Sequence, residues 1–277
     1  MMKPSWHPVQ KARVQVHGES INLAYTRGSA EGPGTPVILV HGMGSSRLAY
    51  EPLLNAWPLP NPVYAVDLPG FGASPQLRQR QTERDYVEAL HAFIDAVALD
   101  SVVLLGHSFG GMVVGDALAC YPQSMKGAIL VASAGFVPPS NVLQPSRSVC
   151  LNRLGIWITG FSYFGDRMVS ALGMDPKTLT EGDRRRLRYG WRRAIEMARM
   201  GRFYESPKFF QGIVEVKRPV VLIHGERDPV FSLPKIREVV RDRFPILAMP
   251  EVGHLPFDQD LAGFLERLVE AMAVIEA

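Results

Sequence analysis

Three side chains in this sequence could together break an acyl bond. Ser108 sits in "GHSFG" (106–110), Asp228 in "GERDPV" (225–230) and His254 in "VGH" (252–254). A serine hydroxyl is a poor nucleophile alone; it needs a base to take its proton and an acid to orient that base. A lone aspartate or histidine in a loop is more often a cap or turn residue than a catalyst. These three differ because each lies just past an apolar run, so each is expected at the same edge of a sheet.

The runs that must carry them are short and rich in β-branched residues: "VILV" (37–40), "VYAV" (63–66), "VVLL" (102–105), "AILV" (128–131) and "VVLI" (220–223). Uninterrupted apolar stretches of this length predict strands covered on both faces, which is the signature of a mostly parallel sheet. "PILAM" precedes His254 in the same way, and "RVQVHGESINLAY" predicts a hairpin pivoting near Gly18. Between strands, Thr82 and Asp85 form a capping box before an apolar stripe of Tyr86, Leu90, Phe93, Ile94 and Val97. A last helix is expected from Leu261, Phe264, Leu265, Leu268, Val269 and Met272. Strand and helix alternating in this way predict an α/β fold, a doubly wound, mostly parallel central sheet flanked by helices.

Ser108 then falls on the turn between the strand ending at Leu105 and a helix opening with "GMVVGDALA". Small residues at Gly106 and Gly110 relieve the crowding of so tight a turn. The turn lifts the hydroxyl above the carboxyl edge of the sheet, and the helix aims its free N–H groups and positive dipole end at the same spot.

One stretch breaks the alternation. From about Gly135 to Gly212 no buried strand is evident, whereas glycines, aromatics and arginines abound. The expected organisation is a core over residues 1–135, a mainly helical cap inserted at 136–212, and the rest of the core at 213–277. Trp157, Phe161 and Phe164, with Tyr163, Met168 and Met174 nearby, supply apolar surface. A cap of this size has little interior of its own, so Trp157, Phe161 and Phe164 are expected to bind substrate. Between Lys177 and Lys208 ten basic residues face four acidic ones, a local charge of +6 against +3 for the whole chain. Arg184, Arg188 and Arg192 share a helical face; most such faces are simply solvated, and the sharper reading is a guide for anionic substrates.

Composition narrows the rest. A chain of 277 residues, 47% hydrophobic and 21% charged, suits a globular domain with a large core. A net charge of +3 without a recognisable motif argues against nucleic acid as a partner. Two cysteines, Cys120 and Cys150, fit a reducing compartment, and "MMKPSWHPVQKARV" has charges and prolines where a signal peptide needs an apolar core. The expectation is a cytoplasmic protein without a membrane span, its oligomeric state open. His41, His107 and His224 beside strand ends read as hydrogen-bonding supports. No spacing suits a metal site, and "HGMGSSR" lacks the Gly-Lys-Ser/Thr ending of a phosphate loop, so neither metal nor cofactor is expected. Asp67, ahead of "LPGFG", reads as a turn organiser that accepts backbone hydrogen bonds.

With "HGMGSS" (41–46), "DLPGFGAS" (67–74), "GHSFG", "GERDPV" and "VGH" in place, the chain resembles the α/β-hydrolase fold family over nearly its whole length. The order Ser108, Asp228, His254 is that family's triad order. The resemblance implies an oxyanion hole from the backbone N–H groups of Met43 and Phe109, and a cap entering where 136–212 lies. The function expected is a cofactor-independent serine hydrolase. It would cleave a carboxylic ester of a small to medium apolar or aryl acyl group through an acyl-enzyme. The alternatives are a serine C–C bond hydrolase acting on vinylogous diketo acids, a thioesterase or a peracid-forming relative. A ligand receptor that kept the fold is the alternative of another class.

Overall fold

A computed structural model describes residues 7–78, 81–139 and 209–277, together with Ser170 and Lys177. Trp157, Phe161, Phe164 and the arginines from Arg184 to Arg202 lie outside the described residues.

The strands are β1 (Val9–Val16), β2 (Glu19–Arg27), β3 (Val37–Val40), β4 (Val63–Val66), β5 (Val102–His107), β6 (Met125–Val131), β7 (Val220–Gly225) and β8 (Ile246–Met249). They form one sheet in the order β1-β2-β4-β3-β5-β6-β7-β8. The hairpin β1–β2 is antiparallel and adds to β4 in antiparallel fashion; every pairing from β4 to β8 is parallel. The helices among the described residues are α1 (Glu51–Asn55), α2 (Glu83–Ala96), α3 (Phe109–Cys120), α4 (Phe209–Glu215), α5 (Leu233–Val240), α6 (Pro256–Gln259) and α7 (Leu261–Glu276).

Successive strand side chains point to opposite faces, so an apolar run fills two cores at once. Ile38, Val40, Leu104, Leu130 and Leu222 face one layer with α2, α3, α4 and α5; Val37, Leu39, Val103, Leu105, Ile129, Val131 and Ile223 face the other with α1 and α7. That division explains why β3 and β5 carry no polar residue along their inner lengths. In α7 the buried residues are Phe264, Leu268, Ala271, Met272 and Ile275, whereas Val269 is 43% exposed. Val269 flanks the core-facing stripe instead of belonging to it. Helix α4 packs on α3 and buries Phe209 and Ile213, so it straddles the expected boundary at residue 212.

After β3 the chain crosses outward to β4; it then returns over the other face to β5 and proceeds in the opposite direction across the sheet. Loops leaving the adjacent carboxyl ends of β3 and β5 therefore diverge, and a crevice opens at that switch point. Gly42 and Met43 leave one side of it and Ser108 the other.

A buried ion pair fixes the outer wall of this crevice. The Arg47 backbone N–H donates to Asp67 Oδ1 at 2.6 Å, its guanidinium pairs with Oδ2, and its Nε–H reaches Thr26 Oγ1 at 3.1 Å. The Ala73 N–H donates to Asp67 Oδ2 at 2.8 Å, so Asp67 accepts the backbone hydrogen bonds expected of it and also binds a cation twenty residues away. Both side chains are removed from water, at 7% and 0% exposure. Truncating one partner strands the other as an unpaired buried charge, so Asp67→Ala should lose about 3–5 kcal/mol of folding stability. Urea denaturation checks this; a loss below about 1 kcal/mol would mean that Arg47 finds water or another acceptor.

Candidate active site

Strand β5 runs through His107, and Ser108 is the N-cap of α3 with φ 53° and ψ −118°. A positive φ is uncommon for a residue with a side chain and carries strain that the surroundings must hold. They hold it on both sides: Ser108 N–H donates to Val131 O at 2.9 Å, and Ser108 O accepts from Ala134 N–H and Gly111 N–H, each at 3.0 Å. The turn is also sterically closed. A methyl group at Gly106 would strike the Gly110 carbonyl, and one at Gly110 would strike the carbonyls of Val40 and His41. Only glycine lets the chain double back there while β3 lies alongside.

Asp228 follows β7 and His254 follows β8, and the two loops are tied by Glu226 N–H to Met249 O at 3.0 Å and Arg227 N–H to Val252 O at 2.9 Å. The loops therefore bring the three residues together. His254 Nδ1 lies 2.9 Å from Asp228 Oδ2, and His254 Nε2 lies 3.0 Å from Ser108 Oγ. A carboxylate accepts only, so Nδ1 carries the ring proton and Nε2 is bare toward the hydroxyl. That is the tautomer a general base needs.

The acid is more heavily bonded than its role in the sequence suggests. Oδ1 accepts from Val230 N–H at 2.7 Å and Phe231 N–H at 3.1 Å; Oδ2 accepts from His254 and also faces His224 Nε2 at 3.3 Å. Burial by itself would raise the Asp228 pKa, but the attraction of His254 and the hydrogen bonds from His224 and His254 outweigh it. They hold the carboxyl well below the usual carboxylate range.

His254 is held through its backbone as well. His107 Nε2–H donates to the His254 carbonyl at 2.8 Å, and Gln259 Oε1 accepts from Gly253 N–H at 2.8 Å and Leu255 N–H at 3.4 Å. Burial, and then the neighbouring His254, push His107 down to about 3, so it stays neutral and keeps this single donor role. The sequence points to a supporting bond from His107 without its partner, and no motif in it marks Gln259 as part of the site. The only trace of Gln259 is its placement five residues after His254, at the end of the one-turn helix α6.

Met43 and Phe109 both belong to this crevice. Phe109 is the first residue of α3, directly after Ser108, and its ring meets Tyr86 edge-on at 5.4 Å. Met43 follows Gly42, where an added methyl would touch Ser108 Cβ and the His107 ring, so the β3 loop passes against Ser108. His41 braces that loop: Nδ1–H donates to Gly42 O at 2.8 Å and Nε2 accepts from Leu68 N–H at 3.2 Å. Burial lowers the His41 pKa, which keeps Nε2 bare for this acceptor role. Val230, Phe231, Phe136 and Val137 join Phe109 in one apolar cluster, with Met43 packed against it. Among the described residues no group of histidines, cysteines and carboxylates could hold a metal, and no helix is long and apolar enough to cross a membrane.

Known proteins share this architecture. Esterase RhEst1 from Rhodococcus sp. ECU1013 superimposes with a TM-score of 0.76 at 21% identity, covering 96% of this chain and 99% of that one. The thermophilic esterase from Thermogutta terrifontis gives 0.75 at 20% identity, covering 97% of this chain and all (100%) of that one. In sequence, the 1-acylglycerol-3-phosphate O-acyltransferase ABHD5 of Rattus norvegicus is 31% identical over 134 residues, 46% of this chain and 38% of its own length. The dihydrolipoyllysine-residue acetyltransferase component of the acetoin cleaving system of Pseudomonas putida is 36% identical over 109 residues, 37% of this chain and 28% of its own. The chain thus matches well under half the length of these two relatives. A family-wide match is broader: the Alpha/beta hydrolase family model covers residues 37–267, from the first residue of β3 to the middle of α7. Such coverage takes in the loops of Ser108, Asp228 and His254 and both crevice loops, and the chain therefore belongs to the alpha/beta hydrolase family.

Proposed function

We propose that the protein is a serine hydrolase that cleaves carboxylic esters of small to medium apolar or aryl acyl groups. The observation that carries this reading is the relay from Asp228 Oδ2 through His254 to Ser108 Oγ, with two contacts of 2.9 and 3.0 Å and one consistent tautomer. In this reading Ser108 Oγ attacks the acyl carbon while His254 Nε2 takes its proton, and the same proton passes to the leaving alcohol. Asp228 stabilises the imidazolium between the two steps, and the N–H groups of Met43 and Phe109 hold the oxyanion. Water then attacks the acyl-enzyme with His254 again as base, releasing the acid and restoring Ser108.

Trp157, Phe161 and Phe164, from the proposed cap at 136–212, would supply an apolar pocket for the acyl group. Burying one methylene is worth about 0.8 kcal/mol, close to fourfold in kcat/KM until the pocket fills. A panel of p-nitrophenyl esters should therefore show medium acyl or aryl groups ahead of acetate, with little dependence on salt. If carboxylate substrates are best and their kcat/KM falls steeply with salt, the arginines of the cap select the substrate and the C–C hydrolase reading replaces this one. If a fluorophosphonate labels Ser108 but no ester turns over, the protein is a receptor.

A further inference from the structure

His224 is fully buried at 1% exposure on β7, and no step of the proposed reaction uses it. Its Nε2 faces two acceptors, the Phe231 carbonyl at 2.9 Å and Asp228 Oδ2 at 3.3 Å. Neither can donate to it, so Nε2 carries a proton and the N–H is shared between them. Asp228 Oδ2 is thus the common acceptor of two imidazole N–H groups, one from His254 and one from His224.

From this geometry we infer that His224 is a positioning residue for the catalytic acid: its shared N–H aims Asp228 Oδ2 at His254 and moderates the charge that His254 meets. The inference rests on the ester-hydrolase reading above. Two effects follow. Oδ1 is fixed by the amides of Val230 and Phe231, and the Phe231 carbonyl bond to His224 locks the other end of the same turn, so the carboxylate cannot rotate about its bond to Cβ. A second donor on Oδ2 also draws off negative charge, so the carboxylate holds the imidazolium form of His254 less tightly.

Among the described residues, the titratable groups that face His254 are Asp228 after β7 and His107 on β5, whose ring centre lies 5.1 Å from that of His254; His224 acts on it through Asp228. His107 is neutral throughout, so the acid limb of activity reports the Asp228 environment.

The test compares kcat/KM against pH for the wild type, His224→Phe and His224→Gln. The Phe variant keeps bulk but removes the donor, and its acid limb should move up by about one pH unit. The Gln variant restores an N–H donor, and its limb should return most of the way; a residue needed only for packing would be rescued better by Phe. Superimposable limbs in an active Phe variant overturn the inference. Nitrogen-15 spectra of histidine-labelled wild type provide a reading that needs neither variant nor turnover. The His224 Nε2–H resonance should be present and should shift as His254 titrates, and a bare Nε2 or an unmoved resonance overturns the inference. Failure of the functional reading looks different: the wild type would neither hydrolyse esters nor take up fluorophosphonate at Ser108.

Discussion

Replacing Ser108 by alanine should lower kcat by at least ~10³ and abolish fluorophosphonate labelling, with the fold intact. The structure gives a reason to expect so clean a separation. The backbone of Ser108 is held by Val131, Ala134 and Gly111 through main-chain bonds that alanine preserves, and the lost hydroxyl faces the half-open crevice with His254 as its partner. The positive φ of 53° costs the same with either side chain. Rates on the best p-nitrophenyl ester, with a thermal melt on the same samples, decide the matter. A variant that hydrolyses at nearly the wild-type rate would mean that another group attacks.

Asp228→Asn should be nearly as damaging, a loss of about 10³–10⁴ in kcat, through proton placement rather than position. Oδ1 of Asp228 accepts two backbone N–H groups, so the carbonyl of the introduced amide must take that side. Its NH2 then points at His254 Nδ1 and forces the proton onto Nε2, where it blocks acceptance from Ser108. Stability carries a second signature. The Asp228 carboxyl titrates lower in the folded protein than in the unfolded chain, so its stabilising contribution is complete above the unfolded value near ~3.9. It is lost as pH falls through the lower folded value. The stability difference between wild type and variant should therefore shrink below about pH 4. An undiminished rate in this variant would show that a different carboxylate orients His254.

Much of the site was legible in the sequence because parallel strands advertise themselves. β5 and β7 are buried on both faces, so their residues read as unbroken apolar runs, and Ser108 and Asp228 stand out as polar groups just past them. Other features left weaker traces. β8 is only half covered over three of its four residues, so "PILAM" is a faint strand signal. Val269 fits an apolar stripe by spacing, yet one step of 100° beyond Leu268 turns it to solvent. Arg47–Asp67 and His107–His254 are through-space bonds between segments distant in the chain, and no local pattern records which segments will meet. His224 lies four residues before Asp228, but only the fold of the turn at Phe231 makes one nitrogen serve both acceptors.

The hydrogen bonds described around Ser108, Asp228 and His254 come from the ends and loops of β5, β6, β7 and β8 and from the helices α3 and α6. Each of those partners is itself tied to the sheet or to a helix packed on it, so the relay inherits its spacing from the strand register. Proton transfer is thus aligned by the frame, as type keeps its line from the forme that locks it.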